Sequence, residues 1–466
     1  MGEDNEESDS RIRFSGMDDM TADGSTPLKV LEKAEDDTKA GNYFVANYPP
    51  FSFWSQEETP SCLDQLRQPP QAGTPLGLYV HIPFCRKRCH FCYFRVYTDK
   101  NSKEIRSYLD GVITELARYA AMPAFENRLP SFVYFGGGTP SYLSAEQLTY
   151  FFDGLKAQMP WDHVEEVAFE CEPGTLNRKK LETLKSLGVT RLSLGIENFD
   201  DHVLELNNRA HLSKQVHIAY NDARDVGFDQ INIDLISGML GETEANWKTC
   251  VEKTLEMAPE CVTIYQMEIP FNTTIYKQMK SDGNDIAPVA SWSTKRRWVS
   301  EAFDALEQAG YNIGSAYTAV KDKARTKFLY RDELWRGADL LGVGVASFSH
   351  VNGFHFQNQH HIEPYLESLA AGDLPIHRAM ATTAEHRLIR EFVLQMKLGR
   401  LERQYFIDKF DVDPWDRFGD ELRTLSTAGR IELTDEAILV PRATLLEIDR
   451  MLWGFFLPEH QDARYA

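Results

Sequence analysis

Apolar residues recur along this chain in two alternating rhythms. Six short runs have the near-continuous apolar character of strands buried on both faces. They are LYVHI (78–82), FVYF (132–135), EVAFE (166–170), RLSLG (191–195), INIDLI (231–236) and VTIYQM (262–267). Between them lie longer segments with apolar positions three and four residues apart, such as SYLDGVITELARYA (107–120) and NWKTCVEKTLEMA (246–258). Strand–helix alternation of this kind predicts an α/β fold whose parallel sheet curls toward a barrel or a doubly wound layer. Both arrangements put chemistry at the C-terminal ends of the strands.

The flanks break the rhythm. Residues 1–45 are polar and acidic and lack sustained apolar periodicity, so disorder is expected there. Residues 46–76, with NYPPFSFW and QPPQAGTP, read as an irregular segment packed on the main body. The alternating core is expected over 77–300, with a substrate-side extension over 301–378. From about 379 the pattern turns helical (AEHRLIREFVLQMKLGRL), and RIELTDEAILVP then reads as a short hairpin. That predicts a small, mainly helical, winged-helix-like domain over 379–466.

Charge narrows the class. The 466 residues carry a formal net charge of −20, which argues against a general nucleic-acid binder. No apolar run approaches the roughly 20 residues that span a bilayer, and MGEDNEESDS lacks the features of a secretory leader. A cytoplasmic protein without membrane partners is expected. Seven cysteines, an odd number, argue against a disulfide framework.

Three of those cysteines fall within eight residues, in HIPFCRKRCHFCYF: Cys85-x3-Cys89-x2-Cys92, directly after the first predicted strand. Three thiolates on one loop can hold three irons of a [4Fe–4S] cluster and leave the fourth open. Zinc is the alternative, with His81 or His90 as fourth ligand. Arg86, Lys87 and Arg88 are expected to favour the thiolate forms.

The CxxxCxxC spacing, with Phe91 before the last cysteine, resembles the signature of the radical S-adenosylmethionine (SAM) superfamily. GLYVHIPFCRKRC, YFGGGTPSYL, RLSLGIENFDD, NNRAH and INIDLISGM resemble, in order, segments of the oxygen-independent coproporphyrinogen III oxidase family. That family also holds a haem chaperone and class C methyltransferases. The resemblance implies a partial (β/α)6 barrel, a [4Fe–4S] cluster and one or two SAM molecules. It implies cysteine ligands Cys85, Cys89 and Cys92. It implies SAM contacts from Tyr79, Phe91, Gly136, Gly137, Gly138, Thr139, Glu170, Glu197, Arg209 and Asp234. It also implies a flavodoxin or ferredoxin as reductant. Glu197 stands where the family more often has Gln.

Two departures bear on the activity. The oxidase continues from its last cluster cysteine with Cys-Gly-Cys, whereas Cys92 is followed by Tyr93 and Phe94. The haem chaperone has an HNxxYW motif where this chain reads Tyr330-Arg331-Asp332-Glu333-Leu334-Trp335. Both departures count against those two activities, and CYFRVYTDKN and FFLPEHQDARY resemble the methyltransferase branch, so the expectation is a methyl or methylene transferase, or cyclopropanase, acting on a small molecule. Propionate decarboxylation and haem carriage are the alternatives. Tyr265 and Glu268, at the end of the sixth strand, are the candidate catalytic groups, Glu268 as proton acceptor. The polar run Gln357–His361 is read as a solvated loop, with contact to a second SAM or a polar substrate as the alternative.

Overall fold

The computed structural model describes residues 36–461. The first 35 residues of the expected disordered tail, and the last five of the chain, lie outside the described residues. All six predicted strands form: β1 (Leu76–Ile82), β2 (Phe132–Gly137), β3 (Glu166–Cys171), β4 (Arg191–Glu197), β5 (Gln230–Ser237) and β6 (Cys261–Gln266). They lie side by side in chain order, each parallel to the next. Helices such as Ser102–Ala120 and Glu244–Met257 make the crossovers. The first is fixed by a capping box between Asn101 and Glu104.

The sheet extends beyond this core. On one side β6 pairs antiparallel with β8 (Thr318–Val320), which pairs with β7 (Asn312–Ile313). On the other, β9 (Asp339–Val343) docks parallel to β1, and β10 (Phe348–Val351), β11 (Phe354–Asn358) and β12 (Ile376–Ala381) continue antiparallel. The result is a twelve-stranded sheet ending in β12 and β7, so the barrel is partial and open. The C-terminal unit has its own apolar core around Phe392, Phe406, Phe418 and Phe455. It combines short helices with a three-stranded sheet of β13 (Arg400–Glu402), β14 (Glu432–Leu433) and β15 (Ala437–Leu439).

Residues 36–45 depart from the expected disorder. They form a strap. Ala40 bridges to Ile269 just past β6, while Ser55, further along, bridges to Ala379 in β12. The chain between them thus crosses from one side of the open barrel to the other. The polar composition concealed this because the strap is held by buried polar contacts. Val45 N donates to Asp449 Oδ1 at 2.8 Å, and Lys397 Nζ donates to Val45 O at 2.6 Å. Lys295 Nζ donates to Thr38 Oγ1 at 2.8 Å.

Candidate active site

The loop after β1 carries the three cysteines to the C-terminal ends of β1 and β2. They line a cavity of about 170 Å³ together with Phe91, Gly137, Gly138, Thr139 and Arg209. Glycine is required at two of these positions. Gly137 has φ +118°, and a Cβ on Gly138 would lie 3.0 Å from Cys85 Sγ and 2.9 Å from the Pro83 carbonyl carbon. The GGGT run therefore lets backbone approach the thiols, with Thr139 Oγ1 donating to Cys85 Sγ at 3.2 Å.

Arg209 reaches the second thiol. Its Nη1 donates to Cys89 Sγ at 3.1 Å, its Nη2 donates to Gly195 O at 2.6 Å, and Glu197 Oε1 lies 3.4 Å from Nη2. Arg209 Nε is buried without a partner among the described residues. Burial pushes the Cys85 thiol up to about 12 and Cys92 to about 11. The neighbouring cations oppose this but do not win, contrary to the expectation that Arg86–Arg88 would favour thiolates. Three spaced thiols, a glycine cradle and an arginine with a spare donor fit a [4Fe–4S] cluster with SAM beside it.

The remaining expected residues converge from the strand ends. Tyr134 Oη donates to Glu170 Oε1 at 2.6 Å, and Gly137 N donates to Glu170 Oε2 at 3.2 Å. Asp234 accepts from Ser193 Oγ at 2.7 Å and from Asn232 Nδ2 at 2.8 Å. Burial raises the Glu170 and Glu197 carboxyls to about 7 and raises that of Asp234. Tyr79 Oη pairs with His81 Nδ1 at 3.1 Å, and its ring stacks on Tyr134. Phe91 packs beside the cluster of Met239, Met267 and Ile269.

Tyr265 and Tyr93 are 42% and 45% exposed. The Tyr265 ring stacks on Tyr317 at 6.2 Å, and the Tyr93 ring packs on Phe94 at 4.3 Å. Glu268 is engaged differently from expectation: its Oε2 accepts from the Tyr43 and Phe44 amides at 3.1 and 3.4 Å. It fastens the strap. The run Gln357–His361 is also not simply a loop. Gln357 and Asn358 are buried in β11, where Asn358 Nδ2 donates to Glu115 Oε1 at 2.6 Å. Sequence reasoning gave Tyr330 no role, yet its ring stacks on Tyr134 at 4.3 Å. Its position beside Trp335 in the segment preceding β9 was the available signal.

Residues 79–253 match the model of the radical SAM superfamily. The chain thus carries a radical SAM domain over those residues, and the cofactors of that domain are a [4Fe–4S] cluster and SAM. It is homologous over most of its length to oxygen-independent coproporphyrinogen III oxidases and to a heme chaperone. The oxidase of Helicobacter pylori (strain 26695) is 29% identical over 84% of this chain and 88% of its own. That of Escherichia coli (strain K12) is 28% identical over 78% and 80%. The heme chaperone HemW of Bacillus subtilis (strain 168) is 26% identical over 82% and 99%. The solved structure of Escherichia coli coproporphyrinogen III oxidase (HemN) shares the fold, with a TM-score of 0.75 over 90% of this chain and 99% of that one.

These relatives overturn the expected methyl or methylene transfer. That expectation rested on two short departures, Tyr93-Phe94 and the Tyr330–Trp335 segment, and on the likeness of CYFRVYTDKN and FFLPEHQDARY to the methyltransferase branch. The similarity to oxidases and a heme chaperone runs through the core and on into the C-terminal unit. Among the described residues no helix is long and apolar enough to cross a membrane.

Proposed function

We propose that the protein is a radical SAM oxidoreductase that converts propionate side chains of a porphyrinogen to vinyl groups, as a coproporphyrinogen III oxidase does. The observation that supports this is the near-full-length similarity to three such oxidases, from 78% to 84% of this chain. Bound at Cys85, Cys89 and Cys92, the cluster and SAM supply a 5′-deoxyadenosyl radical that abstracts hydrogen atoms. A propionate that gives up its β-hydrogen atom in this way breaks its bond to the carboxyl carbon. CO2 leaves, and one electron passes to a one-electron acceptor.

The chain's own residues prepare for this. Arg209 donates to the Cys89 sulfur and Thr139 to that of Cys85, which orients both side chains. Glu170 and Asp234 would hold the amine of SAM, and the side-chain-free backbone of Gly136–Gly138 would leave room for its amino-acid end. Tyr79, Tyr134 and Tyr330 form a stacked aromatic wall suited to a flat, apolar macrocycle.

The test is anaerobic incubation of reconstituted protein with coproporphyrinogen III, SAM and dithionite plus a one-electron acceptor. The expected result is vinyl-bearing product together with 5′-deoxyadenosine. Deoxyadenosine without vinyl product overturns the reading. Haem carriage is the second reading, favoured by the match along 99% of the heme chaperone. It predicts a stoichiometric Soret band on haem addition and no vinyl product.

A further inference from the structure

At the rim of the barrel, beside the cysteine loop, lies a group of cationic and imidazole side chains that the site above does not use. β11 runs toward the same end as the parallel strands, and β12 starts there. His360 and His361 follow β11, while His377 and Arg378 open β12. Arg95, three residues past Cys92, completes the group, and its neighbour Phe94 lines the thiol cavity. Arg95 Nη1 lies 3.0 Å from His361 Nδ1. The His360 and His377 rings meet edge to face at 4.7 Å. Arg378 is held by Gln357 Oε1 and Phe51 O, both at 2.8 Å.

The chemistry of these contacts is one-sided. A guanidinium only donates, so His361 Nδ1 must accept and its proton sits on Nε2. His361 therefore presents a donor, and Arg95 keeps further N–H groups. Among the described residues neither arginine, nor any of the three histidines, pairs with a carboxylate within 4.0 Å. Glu363 on the adjoining helix is engaged by Lys100, and its charge also reaches His361. In a chain of net charge −20, two arginines gathered among three imidazoles without a carboxylate partner break the local rule for charge placement. That is the usual mark of a functional site. Burial first, then the charges of His377, Arg378, Arg95 and His361, bring His360 down to about 4. It is neutral at pH 7 and is itself a hydrogen-bond donor.

We propose that Arg95, His360, His361 and His377, backed by Arg378, form a carboxylate-binding subsite at the barrel rim. Its ligand is a propionate of the tetrapyrrole other than the one that reacts. The tetrapyrrole identity rests on the proposed function; the carboxylate chemistry does not. Arg95 supplies the forked, charge-assisted contact, and the imidazoles supply neutral donors around it. Such a subsite anchors one edge of the macrocycle and so sets which propionate faces the radical.

Two measurements on the reconstituted protein test this. First, coproporphyrin III and its tetramethyl ester are titrated by absorbance against wild type and Arg95→Gln/His361→Gln. The expected result is at least a tenfold loss of affinity for the acid in the variant and no change for the ester. Equal affinity for the acid overturns the subsite. Second, phenylglyoxal labelling of Arg95 is followed by mass spectrometry with and without glutarate. Protection by glutarate supports the carboxylate site, even if coproporphyrin III fails to bind. In that case the tetrapyrrole reading falls and the anion site stands. Absence of protection overturns the subsite whatever the tetrapyrrole does.

Discussion

The Tyr134 hydroxyl donates to Glu170 Oε1 at 2.6 Å, across neighbouring strands at the mouth of the barrel. The bond stabilises the carboxylate against burial, which by itself drives the Glu170 carboxyl upward. Tyr134→Phe removes the donor, so Glu170 should titrate above its present value of about 7. If the ionised Glu170 holds the SAM amine, affinity for SAM rises with pH through this titration. The Tyr134→Phe midpoint should then lie at higher pH. SAM binding isotherms between pH 6 and 9 check it; identical midpoints in the two proteins contradict it.

Gly138 sets how closely backbone approaches the thiols. The Cβ of Gly138→Ala would stand 3.0 Å from both Cys85 Sγ and Ile82 O. The cradle must shift, while β1 and β2 remain paired. The expected outcome is a protein with wild-type far-ultraviolet dichroism and most of the iron–sulfur absorbance near 400 nm lost. Cys85→Ala should lose all of that absorbance. Full absorbance in either variant contradicts the assignment of this loop.

Lys397 and Asp449 pair at 2.6 Å with the lysine side chain fully buried. Removing one partner of a buried pair typically costs about 3 to 5 kcal/mol, because the other charge is left uncompensated. Lys397→Met strands Asp449 and also frees Val45 O. Urea unfolding should show a loss of that size. Limited proteolysis should cut first within residues 36–48.

Glu115 gives a stability profile with a definite sign. It is fully buried, accepts from Gly344 N, Tyr365 Oη and Asn358 Nδ2, and is raised by burial to about 7. Between the unfolded value near 4.5 and that raised value the native state binds the extra proton. Stability therefore falls as pH rises through this window. The advantage of wild type over Glu115→Gln should shrink by roughly 3 kcal/mol from pH 4.5 to pH 8. Urea unfolding across that range measures it, and a flat difference contradicts it.

The parallel core was legible because strands buried on both faces read as continuous apolar runs, and each is long enough to stand out. β9 was not, because DLLGV lies outside the strand–helix alternation and its pairing with β1 joins positions more than 250 residues apart. The strap escaped for a different reason. It is fixed by backbone groups meeting Glu268 and Asp449, and backbone groups leave no side-chain signature. Gln357 and Asn358 looked like loop residues because polar side chains rarely fill a buried strand; here Glu115, Gly344 O and Ser347 take up the Asn358 amide donor. At the site, the cysteines and glycines were readable from spacing. The aromatic wall was not, since Tyr134 and Tyr330 come together only through the fold. The activity was misread because two local departures were given more weight than similarity along the whole chain.

Val45 and Asp449 meet across 404 residues of sequence. Contacts of such separation form late, because the loop they close must first be organised. During synthesis the seven parallel strands and the cysteine loop are complete by residue 343, about a hundred residues before the strap's C-terminal anchor is made. The nascent chain therefore passes through a stage with the thiol loop in place and the side of the barrel still open. This side of the barrel is latched only once the chain has been made as far as Asp449.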